Sequence, residues 1–190
     1  MLNEPLWEPD WFLQSVLNHH IDELVKRYAC LRALRVDLFY KKHTSRFCQD
    51  SAWQFKQDTR QLMDCMMQQK NVVGYFWVIE WTEDHRYHAH VVFWLDGSRV
   101  QKTYLPAQLA GSFWEEITEQ EGWFHRCEFK AHYRANIDLP VRYNDPGSID
   151  NIRQVLAYLT KIQQKDGLSL YGCNEVPERP AAGRPRSVSL

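Results

Sequence analysis

The order of elements along the chain predicts an α+β fold, an antiparallel sheet with helices laid against it. Three observations lead there. Val72 to Trp81 and Tyr87 to Leu95 are rich in Val, Ile and aromatics and are parted by a short polar link, which reads as a β-hairpin. Stretches with helical spacing lie on both sides of that hairpin. An alternating strand stands before the first of them and another after the second, giving strand, helix, two strands, helix, strand. That order is the split β-α-β pattern of ferredoxin-like folds, in which the first and third strands occupy the centre of the sheet.

Taken in order, Leu13, Val16, Leu17, Ile21, Leu24, Val25 and Tyr28 mark an opening helix with Asp10 as its N-cap. Leu34 to Tyr40 alternates as a strand. Ser51 caps a helix running to about Lys70, with Phe55, Leu62, Met63 and Met66 turned inward. Beyond the hairpin, Pro106 opens a helix through Glu119, and Phe124 to Tyr133 is the last expected strand. Ser148 is expected to cap a closing helix from Ile149 to about Gln164, ended by Gly167. The third strand is apolar on both faces farther along, with Val92 and Trp94 on one side and Val91, Phe93 and Leu95 on the other. It therefore needs cover on both. The two inserted helices can supply one layer, and the first or last helix part of the other. The expected division is a helical extension over 1–30, a main domain over 31–173 and a disordered tail over 174–190.

With 190 residues, 44% of them hydrophobic, and a mean hydropathy of -0.55, the chain suits one packed soluble domain. No apolar run reaches membrane-spanning length, and the first ten residues lack the form of a signal peptide. The five cysteines are scattered without a C-x-x-C pair, so the sequence points to a reduced, cytoplasmic protein. A net charge of -1 counts against a protein that coats duplex DNA. Basic residues are nonetheless clustered. Arg32, Arg35, Lys41, Lys42 and Arg46 crowd one segment against Asp37 alone, and Arg126, Lys130 and Arg134 form a second group. Such patches suit a short nucleic-acid footprint or, equally, ordinary solvated faces.

Chemistry concentrates at His88-Ala89-His90. On a strand the side-chain period is two, so both imidazoles share a face and can grip a divalent metal. If the hairpin turns about Asp84, Glu80 lies directly opposite His88 and becomes a third ligand. A loop one residue longer or shorter would send it to the other face. In the closing helix, Tyr158 borders the apolar stripe of Ile149, Ile152, Val155, Leu156, Leu159 and Ile162, with Lys161 one turn on. A phenol ordinarily ionises near pH 10, and an adjacent ammonium or metal would favour its phenolate. Taken singly, each residue has a plainer reading. The histidines could pack, Glu80 could be a strand-end carboxylate, Tyr158 a packing residue and Lys161 a solvated lysine.

Jointly they form a recognisable series. Trp77-Val78-Ile79-Glu80, Tyr87-His88-Ala89-His90-Val91-Val92 and Tyr158-Leu159-Thr160-Lys161, with Tyr171-Gly172-Cys173 beyond, resemble the HUH endonucleases. Within them the chain is most similar to replication initiators of filamentous phages (inovirus type) and related prophage and plasmid Rep proteins. The resemblance spans about Leu34 to Cys173. It implies that His88, His90 and Glu80 hold Mg²⁺ or Mn²⁺, that Tyr158 is the nucleophile and that Lys161 assists it. It further implies nicking and joining of single-stranded DNA at a replication origin through a 5′-phosphotyrosine link, starting rolling-circle replication. Arg35, Lys41, Lys42, Lys130 and Arg134 are the expected nucleic-acid contacts, and Trp81, Tyr87 and Trp94 possible stacking surfaces for bases.

The chain departs from the family in having one candidate tyrosine rather than a pair and in carrying no helicase domain, so the resemblance assigns unwinding and synthesis to a host helicase and DNA polymerase. Residues 1–30 carry no assignable motif. The chief alternative is a catalytically silent relative that binds DNA and regulates its own element. A cupin-like oxygenase also uses His-x-His, but Val91 to Leu95 offers no following Glu and the helices do not suit a barrel.

Overall fold

The computed structural model describes residues 8–163 and 170–179. Eleven-residue strands β1 (Cys30–Tyr40), β2 (Val72–Thr82) and β3 (Arg86–Asp96) make the body of one sheet. Shorter strands complete it: β4 (Gly122–Arg126), β5 (Val141–Arg142) and β6 (Tyr171–Cys173). The order is β4-β1-β3-β2-β6, with β5 also on β1, and every pairing is antiparallel. As the split pattern predicts, β1 and β3 lie side by side in the interior.

Alternation sorts the side chains onto two faces. Leu34, Val36, Leu38, Ile79, Val91, Phe93 and Leu95 point one way and pack against α3 (Ala52–Met67) and α4 (Tyr104–Ile117) through Phe55, Leu62, Met66, Ala110 and Trp114. Leu31, Ala33, Phe76, Val78, Val92 and Trp94 point the other way. They meet α1 (Trp11–Arg27) and α5 (Pro146–Leu156) through Leu13, Leu17, Ile21, Leu24, Ile152 and Leu156. First and last helices together thus cover the second face, but only over the half nearest those residues.

Local chemistry explains most of the boundaries. Asp10 caps α1 by accepting from the amides of Phe12 and Leu13, each at 3.0 Å, and Lys26 and Arg27 sit in its last turn, where cations suit the helix dipole. Ser51 caps α3 by accepting from Gln54 N. A short helix that the sequence pattern did not reveal, α2 (Ser45–Gln49), is capped by Thr44. Strand β6 lies flat on the Trp77 indole. A Cβ on Gly172 would come within 2.7 Å of that ring, so only glycine fits.

Several expectations are corrected. Helix α4 starts at Tyr104, two residues before Pro106, since a proline in the first turn removes no bond the helix would have made. It ends at Ile117 because Glu119 and Gln120 adopt φ of 53° and 67°. Strand β4 stops at Arg126, after which Cys127 N gives one more bond to Arg35 O and the chain leaves the sheet. The cap of α5 is Asp145, not Ser148. Its carboxylate accepts from Ser148 N, and Pro146 fills the first helical position. Most consequentially, α5 stops at Leu156 and tightens into a 3₁₀ turn over Ala157–Thr160. The opening segment competes for the backbone there: Asp10 N donates to Thr160 O at 2.6 Å, Ile162 N donates to Glu8 O at 2.8 Å, and Pro9 bridges Lys161. The expected helix end near Gln164 and Gly167 lies outside the described residues, as does most of the expected tail. Within the described part of that tail, Asn174 accepts from Tyr75 N at 2.7 Å and Val176 packs on the α1 side of the core.

Candidate functional site

The hairpin fixes the centre. Thr82 pairs with Arg86 across a three-residue link, Arg86 closes it at φ 55°, and Glu80 falls opposite His88 while Val78 falls opposite His90. Glu80, His88 and His90 therefore share the face that α1 and α5 leave open at this end. All three are buried, and one ligand atom from each lies within 4.8 Å of the others. His88 Nε2 stands 3.8 Å and His90 Nε2 3.4 Å from Glu80 Oε2.

Neighbours fix both rings. His88 Nδ1 is 3.0 Å from Arg86 O, and since a carbonyl only accepts, that nitrogen carries the proton and Nε2 is left facing Glu80. The ring also stacks on Phe39, centroids 5.5 Å apart and planes 10° apart. His90 Nδ1 lies 2.6 Å from Asp37 Oδ1, a carboxylate behind an imidazole as in many metal centres. Behind Asp37 stand Arg35 at 3.7 Å and Cys127, whose thiol donates at 3.3 Å.

The electrostatics follow from that packing. Burial pushes the Glu80 carboxyl up, but His90 and Lys161 outweigh it and hold it down at about 2. Burial, helped by His90 and His85 and opposed by the Arg86 carbonyl and Glu80, brings His88 down to about 4. His90 is buried too, yet Asp37 and Glu80 raise it above an ordinary histidine. Burial pushes the Cys127 thiol up to about 12, so it serves as a donor rather than a nucleophile.

The 3₁₀ turn brings in the remaining residues. In such a turn, residues three apart eclipse, and Lys161 Nζ lies 2.5 Å from Tyr158 Oη. The same ammonium is 2.9 Å from Glu80 Oε2 and 4.0 Å from the centre of the Tyr158 ring. Lys161 is thus buried rather than solvated, and joins the tyrosine to the acid. The Tyr158 ring meets His90 edge-on at 5.5 Å, with the Arg35 guanidinium 5.3 Å from its centre.

His90 Nε2 is buried with no hydrogen bond of good geometry among the described residues, although it faces Glu80 across 3.4 Å. That nitrogen, His88 Nε2 and the Glu80 carboxylate lie within 4.8 Å of one another, a donor set that fits a divalent cation.

A cleft of about 920 Å³ opens beside Tyr158 and His90, with Arg35, Arg134, Tyr133 and Gln154 in its wall. Of the basic residues singled out from the sequence, Arg35 and Arg134 line it. Lys130 lies exposed on the segment leading to it. Lys41 and Lys42 lie instead at the hairpin end, where Lys41 Nζ donates to Gln120 O and Lys42 is 4.0 Å from Asp84. Trp94 is fully buried and is core, not a stacking surface. Trp81 donates to Asp50, and Tyr87 packs on the α3 side.

This centre, on the open end of an otherwise covered sheet, sits inside the stretch that sequence comparison singles out: the family of replication-associated proteins of the ORF2 type matches residues 36–167. The chain belongs to that family. No curated protein and no solved structure matches it. Membership in this family associates the chain with replication, and the matched stretch contains every residue of the constellation except Arg35, which precedes it by one position. No described helix of this replication-associated protein is long and apolar enough to cross a membrane.

Sequence reasoning missed two contributors to the site of this family member. Asp37 had a signal, as the one acid in a basic stretch of a strand that the split order places beside His90. The segment Glu8–Asp10 had none, because its role consists of backbone bonds to Thr160 and Ile162.

Proposed function

We propose that the protein is a metal-dependent, site-specific endonuclease that nicks and rejoins single-stranded DNA through a 5′-phosphotyrosine, and so initiates rolling-circle replication of a phage, prophage or plasmid. The observation that carries this reading is the position of Lys161 Nζ, within 2.9 Å of both Tyr158 Oη and Glu80 Oε2, beside the two histidines. A structural tyrosine needs no buried ammonium and no acid facing two imidazoles.

In this reading Glu80, His88 and His90 hold Mg²⁺ or Mn²⁺, which draws charge from the oxygens of a phosphodiester. Asp37 keeps the His90 ring turned toward the centre. Lys161 donates to the phenol oxygen and holds it beside the proposed ligands, while Glu80 keeps that ammonium in place. Arg35 and Arg134 draw the strand into the cleft by its phosphates. Tyr158 Oη gives up its proton to water and forms a bond to phosphorus, the bond to the 3′-oxygen breaks, and that oxygen takes up a proton from water. The products are a free 3′-hydroxyl and a DNA 5′-phosphate held on Tyr158. The 3′-hydroxyl is a primer for a host DNA polymerase, with unwinding by a host helicase. Attack by a 3′-hydroxyl on the phosphotyrosine reverses the step and joins strands.

The test is incubation with single-stranded origin DNA and Mn²⁺ followed by denaturing electrophoresis. Wild type is expected to give a denaturation-resistant adduct and Tyr158→Phe none. An adduct that survives Tyr158→Phe would remove the nucleophile assignment. DNA binding without any adduct across the origins of the element would identify a binding protein instead.

A further inference from the structure

On the far side of the triad from the cleft, the open end of the sheet carries a run of aromatic rings that the nicking chemistry does not use. Register places Trp123 of β4 opposite Phe39 of β1 and His125 opposite Asp37, so all of these project onto the face that bears the histidines. Phe39 is the hub. It stacks on His88, lies 5.1 Å from Trp123 at 36°, and lies 5.1 Å from His85 at 54°. Trp123 in turn stacks on His125 at 6.1 Å and 29°. Helices α1 and α5 pack over the opposite half of this face, through Leu31, Ala33, Phe76 and Trp94. Trp123 is 49% exposed and His85 and His125 are exposed.

We infer that Trp123, Phe39 and His125 form a base-stacking platform for unpaired nucleotides on one side of the scissile phosphate, with the Arg35–Arg134 cleft taking the other side. The inference rests on the single-stranded DNA reading above. Three features favour that occupant. The platform is continuous with the candidate centre, because Phe39 touches a proposed metal ligand. Its rings lie side by side on one face, Phe39 stacked on His88 at 10° and Trp123 on His125 at 29°, and such aromatic faces stack bases regardless of sequence. It is also edged by positive charge: Lys41 and Lys42 follow β1 directly, and Lys41 N bonds Glu121 O beside the start of β4. These lysines, outside the cleft, thereby find phosphates of the same strand.

The experiment measures binding rather than cleavage. A labelled oligothymidylate is titrated with Tyr158→Phe protein in EDTA, alone and combined with Trp123→Leu or Trp123→Phe. The leucine keeps apolar bulk and removes the ring; the phenylalanine keeps a ring. Binding is expected to weaken about tenfold with Trp123→Leu, in the range found for loss of one stacked base, and to stay within about twofold with Trp123→Phe. On an oligonucleotide of abasic sites the Trp123→Leu difference should vanish. Equal oligothymidylate binding by the leucine variant, or an equal loss on the abasic strand, would overturn the platform and leave the nicking reading standing. Failure of the parent protein to bind any single strand would overturn both.

Discussion

The two faces of the sheet follow the same alternation and have opposite fates. The face under α3 and α4 is apolar from Leu34 to Tyr40 on β1 and from Leu95 to Ala89 on β3. The opposite face begins in the same way, with Trp94, Val92, Phe76 and Val78 sealed beneath α1 and α5. It then changes character within one residue pair. Val78 lies opposite His90, and the next inward residues are Glu80 and His88. That change coincides with the point where α5 gives way to a 3₁₀ turn. A helix continued to Gln164 would have left Tyr158 on its border and Lys161 on its polar flank. Tightened and pinned by Glu8–Asp10, the turn points both residues at Glu80 instead. Function sits where coverage stops, and the same backbone event ends the helix and aims its side chains.

The contrast can be broken most severely on the sealed face. Phe93 is fully buried between β1 and β2. Phe93→Ala should cost about 3–5 kcal/mol and lower the melting temperature by roughly 10 °C. Trp123→Leu on the open end should leave melting almost unchanged. Similar losses at the two positions in thermal melts would erase the distinction between packed and open ends.

A smaller effect sharpens what the open end holds. Mn²⁺ at a hundredfold excess over its dissociation constant should stabilise the protein by about 2.7 kcal/mol, and EDTA should reverse this. Glu80→Gln should abolish the Mn²⁺-dependent rise in melting temperature, whatever it does to the baseline. A rise that persists in that variant would place the ion elsewhere.

The smallest effect concerns the sealed half of the site-bearing face. His20 of α1 is buried against Phe76, with Nε2 lacking a hydrogen-bond partner among the described residues. Burial, reinforced by His19, lowers its pKa from 6.5 to about 4. Above pH 6.5 both folded and unfolded forms are neutral, so nothing is lost. As pH falls from there toward 4 the unfolded chain takes up the proton first, and stability drops by about 1–2 kcal/mol at pH 5. His20→Leu should flatten that limb in denaturant titrations at pH 5 and pH 7. An unchanged slope would show that other groups set the acid sensitivity.

Much of this arrangement was legible in the sequence because it depends on period and register. His88 and His90 share a face by alternation alone. Glu80 joins them because the hairpin turns about Asp84, as the polar run Glu83-Asp84-His85 suggests. Tyr158 and Lys161 stood out by spacing. What the pattern did not reveal depends on partners distant in sequence. Asp37 is one charged residue on an apolar strand until the strand order sets it against His90. The 3₁₀ turn follows from backbone competition by a segment at the other end of the chain, which leaves no trace in side-chain periodicity. Strand β4 was expected to run through Tyr133, yet it leaves the sheet after Cys127 to wall the cleft. Trp94 looked like a stacking surface because composition cannot tell the covered half of a face from the open half.

The most direct measurement is identification of the covalent link itself. The adduct formed with Mn²⁺ and single-stranded origin DNA would be trimmed with nuclease, digested with protease and sequenced by mass spectrometry. The account predicts one modified peptide, carrying a nucleotide 5′-phosphate on Tyr158. A link on any other residue, or through a 3′-phosphate, would contradict it.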